Sequence, residues 1–486
     1  MHGCGQSDGP VVPAILPNKA AAAEVGEERG PAKGNTDGET PAGLGAGVRV
    51  SSGLDRVREV ARRDRRTRFT ALLHHVDLGR LRRAYWDLNP KASPGVDRVT
   101  WEEYGRRLEA NLEDLHARVQ QGRYRAVPAR RVYIPKADGR LRPLGIASLE
   151  DKVVQRAVVE VLNAVYEEDF KNFSYGFRPG RGPHSALDAV SVGMTQRRVN
   201  WVLDADISDF FGSLDHGWLI KFLEHRIADP RVLRLIKRWL TVGVVENGRW
   251  SSSERGSPQG ASLSPLLANV YLHYVFDWWA DHWRRTRAEG DVVIVRYADD
   301  FVVGFEDEQE AQQFLADLRD RFAQFGLELH PDKTRLIEFG RHAARRRARR
   351  GEGKPDTFDF LGFTHICAKS RSGGKFWIKR ITIAKRMRAK LQQLKTELRR
   401  RMHWPIQAQG LWLRRVVQGH FNHYAVPGNY DAIRQFRTQL TRHWFRALRR
   451  RSQRDRMNWA RMNKHVDRWL PPVRIIHPFP NVRLVV

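Results

Sequence analysis

The sequence predicts a mixed α/β body followed by a basic α-helical region. Three observations carry that reading. Apolar β-branched runs alternate with helix-period stretches between residues 69 and 366. A hydrophobic content of 41%, with 15 Trp, 22 Phe and 11 Tyr, supplies a large core. Positive charge is concentrated after residue 366. At 486 residues the chain is long enough for two or three domains.

The elements follow in order. Residues 1–53 hold 11 Gly and 5 Pro, and no aromatic residue precedes Phe69, so this leader cannot bury enough surface to order itself. Structure is expected to begin near Leu54, with basic helical sequence leading to Phe69, Leu72, Leu73 and Val76. WVLDADI (201–207) has strand character, and VVIVR and FVVGF read as two more strands joined by an Ala-Asp turn. EQEAQQFLADLRDRFAQFG places Ala311, Phe314, Leu315, Leu318, Phe322 and Phe325 on one helical face, and Gly326 ends it. RHAARRRARRGEG (341–353), with six arginines, is expected to be an exposed basic insertion. After Thr382 the sequence turns helical and basic, interrupted at Pro405, Pro427 and Pro471.

The formal net charge is +30. Residues 367–486 carry 29 Lys and Arg against Glu397, Asp431, Asp455 and Asp467, a balance of +25 that leaves +5 for the first 366 residues. A folded region this basic, interleaved with Trp and Tyr, suits a polyanion, and nucleic acid is favoured over an anionic membrane. No run of about 18 apolar residues exists to span a bilayer. The N-terminus lacks the basic-then-apolar pattern of a secretory signal. Two cysteines, Cys4 and Cys367, exclude a disulfide framework or a four-cysteine zinc site and fit a reducing cytosol.

The acids are the chemical signal. On a strand, side chains repeat every second residue, so Asp204 and Asp206 point the same way. Asp299 and Asp300 interrupt an apolar run at an expected hairpin tip. If the two segments lie side by side, three or four carboxylates converge, and divalent cations are the natural counter-charge. Taken alone, an Asp-Asp dipeptide is usually an ordinary turn.

Six segments, in order over residues 134–363, resemble the motifs of reverse transcriptases. Tyr297-Ala298-Asp299-Asp300 resembles their catalytic box. ADISDFF (205–211) resembles the first metal-binding motif, whose aspartate precedes an aromatic by five residues, which selects Asp206 and Phe211. SPQGASLSPLLANVYL (257–272) resembles the motif along template and incoming nucleotide, and IPKADGRLRPLGI (134–146) the motif that grips the triphosphate. GLELHPDKT (326–334) and FDFLGF (358–363) resemble the two motifs after the catalytic box.

The resemblance implies an RNA-directed DNA polymerase of right-hand fold, with fingers, an RRM-like palm built on an antiparallel sheet, and an α-helical thumb. It implies two Mg²⁺ ions held by Asp206, Asp299 and Asp300, with the backbone carbonyl of Ile207 completing one site. Asp204 is the neighbour that the motif leaves in doubt. Lys136 and Arg142 would grip the triphosphate of a deoxynucleoside triphosphate. Phe211 would lie under the sugar and reject a 2′-hydroxyl, Gln259 would sit against the nascent base pair, and Lys333 would stand near the leaving pyrophosphate.

Further segments resemble the bacterial group II intron class. They are KASPGVDRVTWEEY (91–104), IASLEDKVVQRAV (146–158), FSYGFRPGRGPHSALDAV (173–190) and the downstream GHFNHYAVPGNYDAIRQFRTQLTRHWFRALRRRSQ (419–453), which is similar to a maturase or X domain. This implies binding of a group II intron RNA as well as an RNA template and DNA primer, with Arg449, Arg450 and Arg451 as phosphate contacts. His420 and His423 are too few for a metal site and are read as RNA-facing or core residues. The cysteine pairs of an HNH endonuclease domain are missing, so a class without that domain is expected. The resulting layout is a leader (1–53), an N-terminal extension and start of the fingers (54–110), fingers and palm (111–366) and a basic thumb/maturase domain (367–486). Such a protein belongs in a bacterial cytoplasm, at the nucleoid when it acts on DNA. Two rivals remain: a domesticated polymerase in repair or defence, and an RNA-binding splicing factor with a vestigial polymerase.

Overall fold

A computed structural model describes residues 53–135, 141–252, 255–257, 260–370, 373–451 and 457–484. The leader up to residue 52, Lys136 and Gln259 lie outside the described residues. Gly53, the last residue of the expected leader, opens a helix, Gly53–Arg63.

Helices alternate with eleven described strands: β1 Ala129–Pro135, β2 Leu141–Ile146, β3 Trp201–Asp206, β4 Val244–Glu246, β5 Arg249–Ser251, β6 Val292–Tyr297, β7 Asp300–Phe305, β8 Arg335–Glu338, β9 Phe358–Phe360, β10 Phe363–Lys369 and β11 Phe376–Thr382. They form three sheets, in the orders β2-β1-β4-β5, β6-β7-β3-β8 and β11-β10-β9. The second sheet carries the acids. All its pairings are antiparallel, and β3 lies directly beside the β6–β7 hairpin.

This sheet is buried on both faces, which explains its valine runs where a half-exposed sheet would alternate. Leu203, Ala205, Ile294, Phe301, Val303 and Phe305 pack into one core with Phe314, Leu318 and Phe322 of the helix Glu308–Gln324. Val202, Val295 and Val302 face the other way, onto Leu187 and Val190 of the helix Pro183–Gln196 and onto Phe358, Phe360 and Phe363. Each wholly buried side chain of this kind contributes roughly 1.5–3 kcal/mol. Arg380 of β11 reaches Asp188 of that helix at 2.8 Å, both buried, and pins the third sheet to the helix that packs on the second.

A third core is built by four helices, Ala384–Arg400, Ile406–Tyr424, Tyr430–Arg449 and Trp459–Trp469, around Leu394, Leu413, Phe436 and Trp444. The expected boundary at 366/367 falls inside β10, because the β10–β11 hairpin continues the α/β body and the basic helices start only at Ala384. Residues 341–353 are mostly exposed, as expected, but they are locally ordered. They contain a short helix, Ala343–Arg349, and Arg347 and Arg350 pair with Asp356, Glu338 and Glu352. Among the described residues no helix is long and apolar enough to cross a membrane.

Candidate active site

Register decides the site. Asp206 stands opposite Asp300, and Asp204 opposite Val302, in the β3–β7 ladder. Residues directly opposite share a face, so Asp204, Asp206 and Asp300 line one side of the sheet at its end. Tyr297 pairs with Asp300, leaving Ala298 and Asp299 as a two-residue hairpin loop. Ala298 takes a left-handed φ of 57°. For a residue with a side chain that conformation is strained by about 1–2 kcal/mol, so neighbouring contacts must hold it. The tip is therefore Ala298-Asp299, and Asp300 already belongs to β7.

Cations surround the acids. The segment after Gly326 folds back on β3: Ser208 N donates to Glu328 O at 2.8 Å, and His330 N to the Asp206 carbonyl at 2.8 Å. That return brings the Lys333 ammonium onto the Asp206 carboxylate. Arg335 of β8 pairs with Asp204 at 3.2 Å, which identifies Asp204 as a buried, ion-paired neighbour. Burial still pushes Asp204 up to about 6, against the pull of Arg335.

Asp299 and Asp300 keep some solvent contact but are ringed by protein. Burial raises Asp299, and the Asp206 charge adds to that, while Arg142 and Lys333 oppose it. Asp300 is raised well above the ordinary carboxylate range, first by burial and then by Asp299, Asp204 and Asp206. A site that disfavours its own ionised carboxylates to this degree fits a divalent cation held by oxygen ligands. The fit concerns the donor set only. Among the described residues no three acidic, His or Cys side chains stand ready-made as a cation cage, and Asp206 is engaged by Lys333.

The other predicted residues fall into place unevenly. Ile207 is buried and bridges Leu329. Arg142 is exposed on β2, opposite Ile134. Phe211 is half-buried against Phe210 and the large core, its ring centroid 5.5 Å from that of Phe210. Its carbonyl accepts from Ser257 N at 2.8 Å, which ties the first acid motif to the segment leading into Gln259. Arg449, Arg450 and Arg451 stand apart from the acids, at the end of the helix Tyr430–Arg449, and the first two line a groove with Arg442, Phe445, Arg446 and Trp459. His420 stacks on Phe436 at 3.7 Å and His423 meets the Leu361 carbonyl at 3.1 Å, so both are core residues. Sequence reasoning missed Arg296, Asp277 and Asn269, which form a buried network beneath the acidic turn. An arginine inside VVIVRY was the available signal.

Comparisons with known proteins give the family. The family model described as reverse transcriptase (RNA-dependent DNA polymerase) matches residues 134–365. Protein YkfC of Escherichia coli is 33% identical over 299 residues, covering 54% of this chain and 78% of that protein. The chain belongs to the reverse transcriptase family. The group II intron-encoded protein LtrA of Lactococcus lactis is 38% identical over 166 residues, 34% of this chain and 27% of LtrA. Nuclear intron maturase 3 of Arabidopsis thaliana is 28% identical over 164 residues, 33% of this chain and 22% of that protein. The stretch matched spans only about a quarter of LtrA's length.

The raised carboxyls give a pH dependence. A carboxyl raised in the folded state favours the protonated form, so the stability it contributes is present at low pH and lost as pH rises through its folded value. Asp300→Asn cannot ionise. In a chelating buffer, thermal unfolding should show the variant gaining on the parent as pH rises from about 4 to about 8. A difference that stays constant with pH would show that Asp300 is not disfavoured as an anion.

Proposed function

We propose that this RNA-directed DNA polymerase is a group II intron-encoded reverse transcriptase that also binds its intron RNA as a maturase. The observation that carries the polymerase chemistry is the juxtaposition of Asp206 and Asp300 across one ladder with Asp299 at the adjoining turn. In this reading Asp206, Asp299 and Asp300, with the Ile207 carbonyl, hold two Mg²⁺ ions. When bound there, such ions would supply activation of the primer hydroxyl and charge stabilisation of the leaving oxygen. The chain's own residues do the rest. Arg142, with Lys136, receives the triphosphate of the incoming deoxynucleotide, and arginine suits a bidentate phosphate contact. Lys333, whose ammonium lies on the Asp206 carboxylate, would be the cation nearest the departing pyrophosphate. Phe211 and Gln259 frame the sugar and the new base pair.

The β2-β1-β4-β5 sheet corresponds to fingers, the β6-β7-β3-β8 sheet to an RRM-like palm, and the helices from Ala384 onward to a thumb/maturase domain. The intron partnership is supported by the intron-encoded relatives and by the charge of the C-terminal region. Arg449 and Arg450 on an aromatic-floored groove suit RNA phosphates and unstacked bases.

Three measurements test the reading. Asp299→Ala should lower primer extension on an RNA template by about a thousandfold or more, since the metal supplies several kcal/mol, while RNA affinity stays within about twofold. Retained extension would refute the site. Phe211→Ala should lower discrimination against ribonucleotides by about 10-fold or more, read from the ratio of kcat/KM values, and an unchanged ratio would return Phe211 to the core. Replacing Arg449 and Arg450 by Ala should flatten the salt dependence of RNA binding by about one unit of slope per lost phosphate contact. An unchanged slope would place the RNA elsewhere.

A further inference from the structure

Arg296 is the one charged residue of β6, and it is wholly buried. By the alternation of the strand it points to the face opposite Asp206 and Asp300, into the core that holds Ile294 and Phe301. Its Nε and Nη2 donate to Asp277 at 2.7 and 2.6 Å. Its Nη1 donates to Asn269 Oδ1 at 3.0 Å and to the Ala298 carbonyl at 2.9 Å. Asn269 in turn donates from Nδ2 to the Gly176 carbonyl at 2.7 Å. Gly176 packs so closely on the Tyr297–Ala298 peptide that any Cβ there would collide with it. The backbone of Arg296 is gripped as well: its N donates to Phe173 O and its O accepts from Tyr175 N, both at 2.8 Å.

Stability does not explain this arrangement. A buried ion pair is commonly matched or surpassed by well-packed apolar residues, and every neighbour on this strand face is apolar. What apolar residues cannot supply is a directional donor to a strained carbonyl. A guanidinium neutralised by one carboxylate and oriented by one amide can do so at fixed angle. Asp277 closes a single turn of wider, π-type helix, His273–Asp277, and such bulges are frequent at functional sites.

We propose that Arg296, held by Asp277 and Asn269, is a positioning residue that fixes Ala298 in its left-handed turn and thereby aims the carboxylates of Asp299 and Asp300. The inference rests on the polymerase reading above. Outer partners of this kind typically change metal affinity or activity by about 10–100-fold.

The test uses the full chain with Arg296→Lys, which keeps the charge but cannot span Asp277, Asn269 and Ala298 together. Two readouts are taken: Mn²⁺ binding by electron paramagnetic resonance without nucleotide, and primer extension with Mg²⁺ titrated. The expected result is Mn²⁺ binding weakened about 10-fold and kcat lowered about 10–100-fold, with template–primer affinity within about twofold. Ala298→Gly should soften the effect of Arg296→Lys, because glycine occupies the left-handed turn unaided. Unchanged Mn²⁺ affinity and unchanged kcat, with only a lower Tm, would reduce Arg296 to a structural ion pair and overturn the proposal. So would an effect of equal size in the glycine background. If Arg296→Lys does not fold, Asn269→Ser carries the same test, with a severalfold loss of Mn²⁺ affinity expected and no loss refuting it. A parent protein that extends no primer would fail the polymerase reading. A parent that extends normally beside an unaffected Arg296→Lys fails this inference alone.

Discussion

The structure depends on one constraint: β3 and β7 must pair in the register that sets Asp206 opposite Asp300. Like charges about 4 Å apart repel by roughly 4 kcal/mol near a protein surface. That is the scale of one or two buried valines, so the register has to be enforced from elsewhere. A slip of one residue would turn Val202, Val302 and every neighbour to the wrong face. Because both faces are packed, no such slip is tolerated, and the acids are carried to the sheet's end by residues that take no part in chemistry.

The cations around the acids come from different parts of the chain. Lys333 follows the return of residues 327–330 along β3, Arg335 belongs to β8, and Arg142 reaches from the β1–β2 sheet. Each is a point of control over the carboxylates. Arg335 is paired with the buried Asp204, whereas Lys333 and Arg142 are exposed, which in the proposed reading leaves them able to change partners. This division separates a permanent ion pair at the strand's inner position from a replaceable one at its open end.

Much of this was legible in the sequence because it rests on local pattern. The β6–β7 hairpin, the helix Glu308–Gln324 and the same-face placement of Asp204 and Asp206 follow from periods of 2 and 3.6. The pairing of β3 with β7 was only conditional, since no local signal reports which strands become neighbours across nearly a hundred residues. Lys333's contact with Asp206 was invisible for the same reason, whereas for His420 and His423 the sequence left core and RNA-facing placements open and the stack on Phe436 and the bond to the Leu361 carbonyl favour the first. The boundary at 366/367 followed a shift in charge, but β10 and β11 are basic strands, and charge does not distinguish a strand from a helix.

Charge also separates the two halves energetically. In residues 367–486, 29 basic side chains cannot be balanced by four acids, two of which, Glu397 and Asp431, already serve Arg400, Arg401 and Arg434. Self-repulsion of that size works against a compact fold. The helices hold together because their inner faces bury Leu394, Leu413, Phe436 and Trp444, leaving the cations to the outside. Asp188 of the preceding body answers Arg380 and Arg483, and a polyphosphate backbone would supply the remaining counter-charge along a continuous line. In the proposed reading the same phosphates, at the sheet's acidic end, would meet like charge and need a divalent cation between. One nucleic acid can thus answer both imbalances, provided that the basic helices bind it and the carboxylates process it.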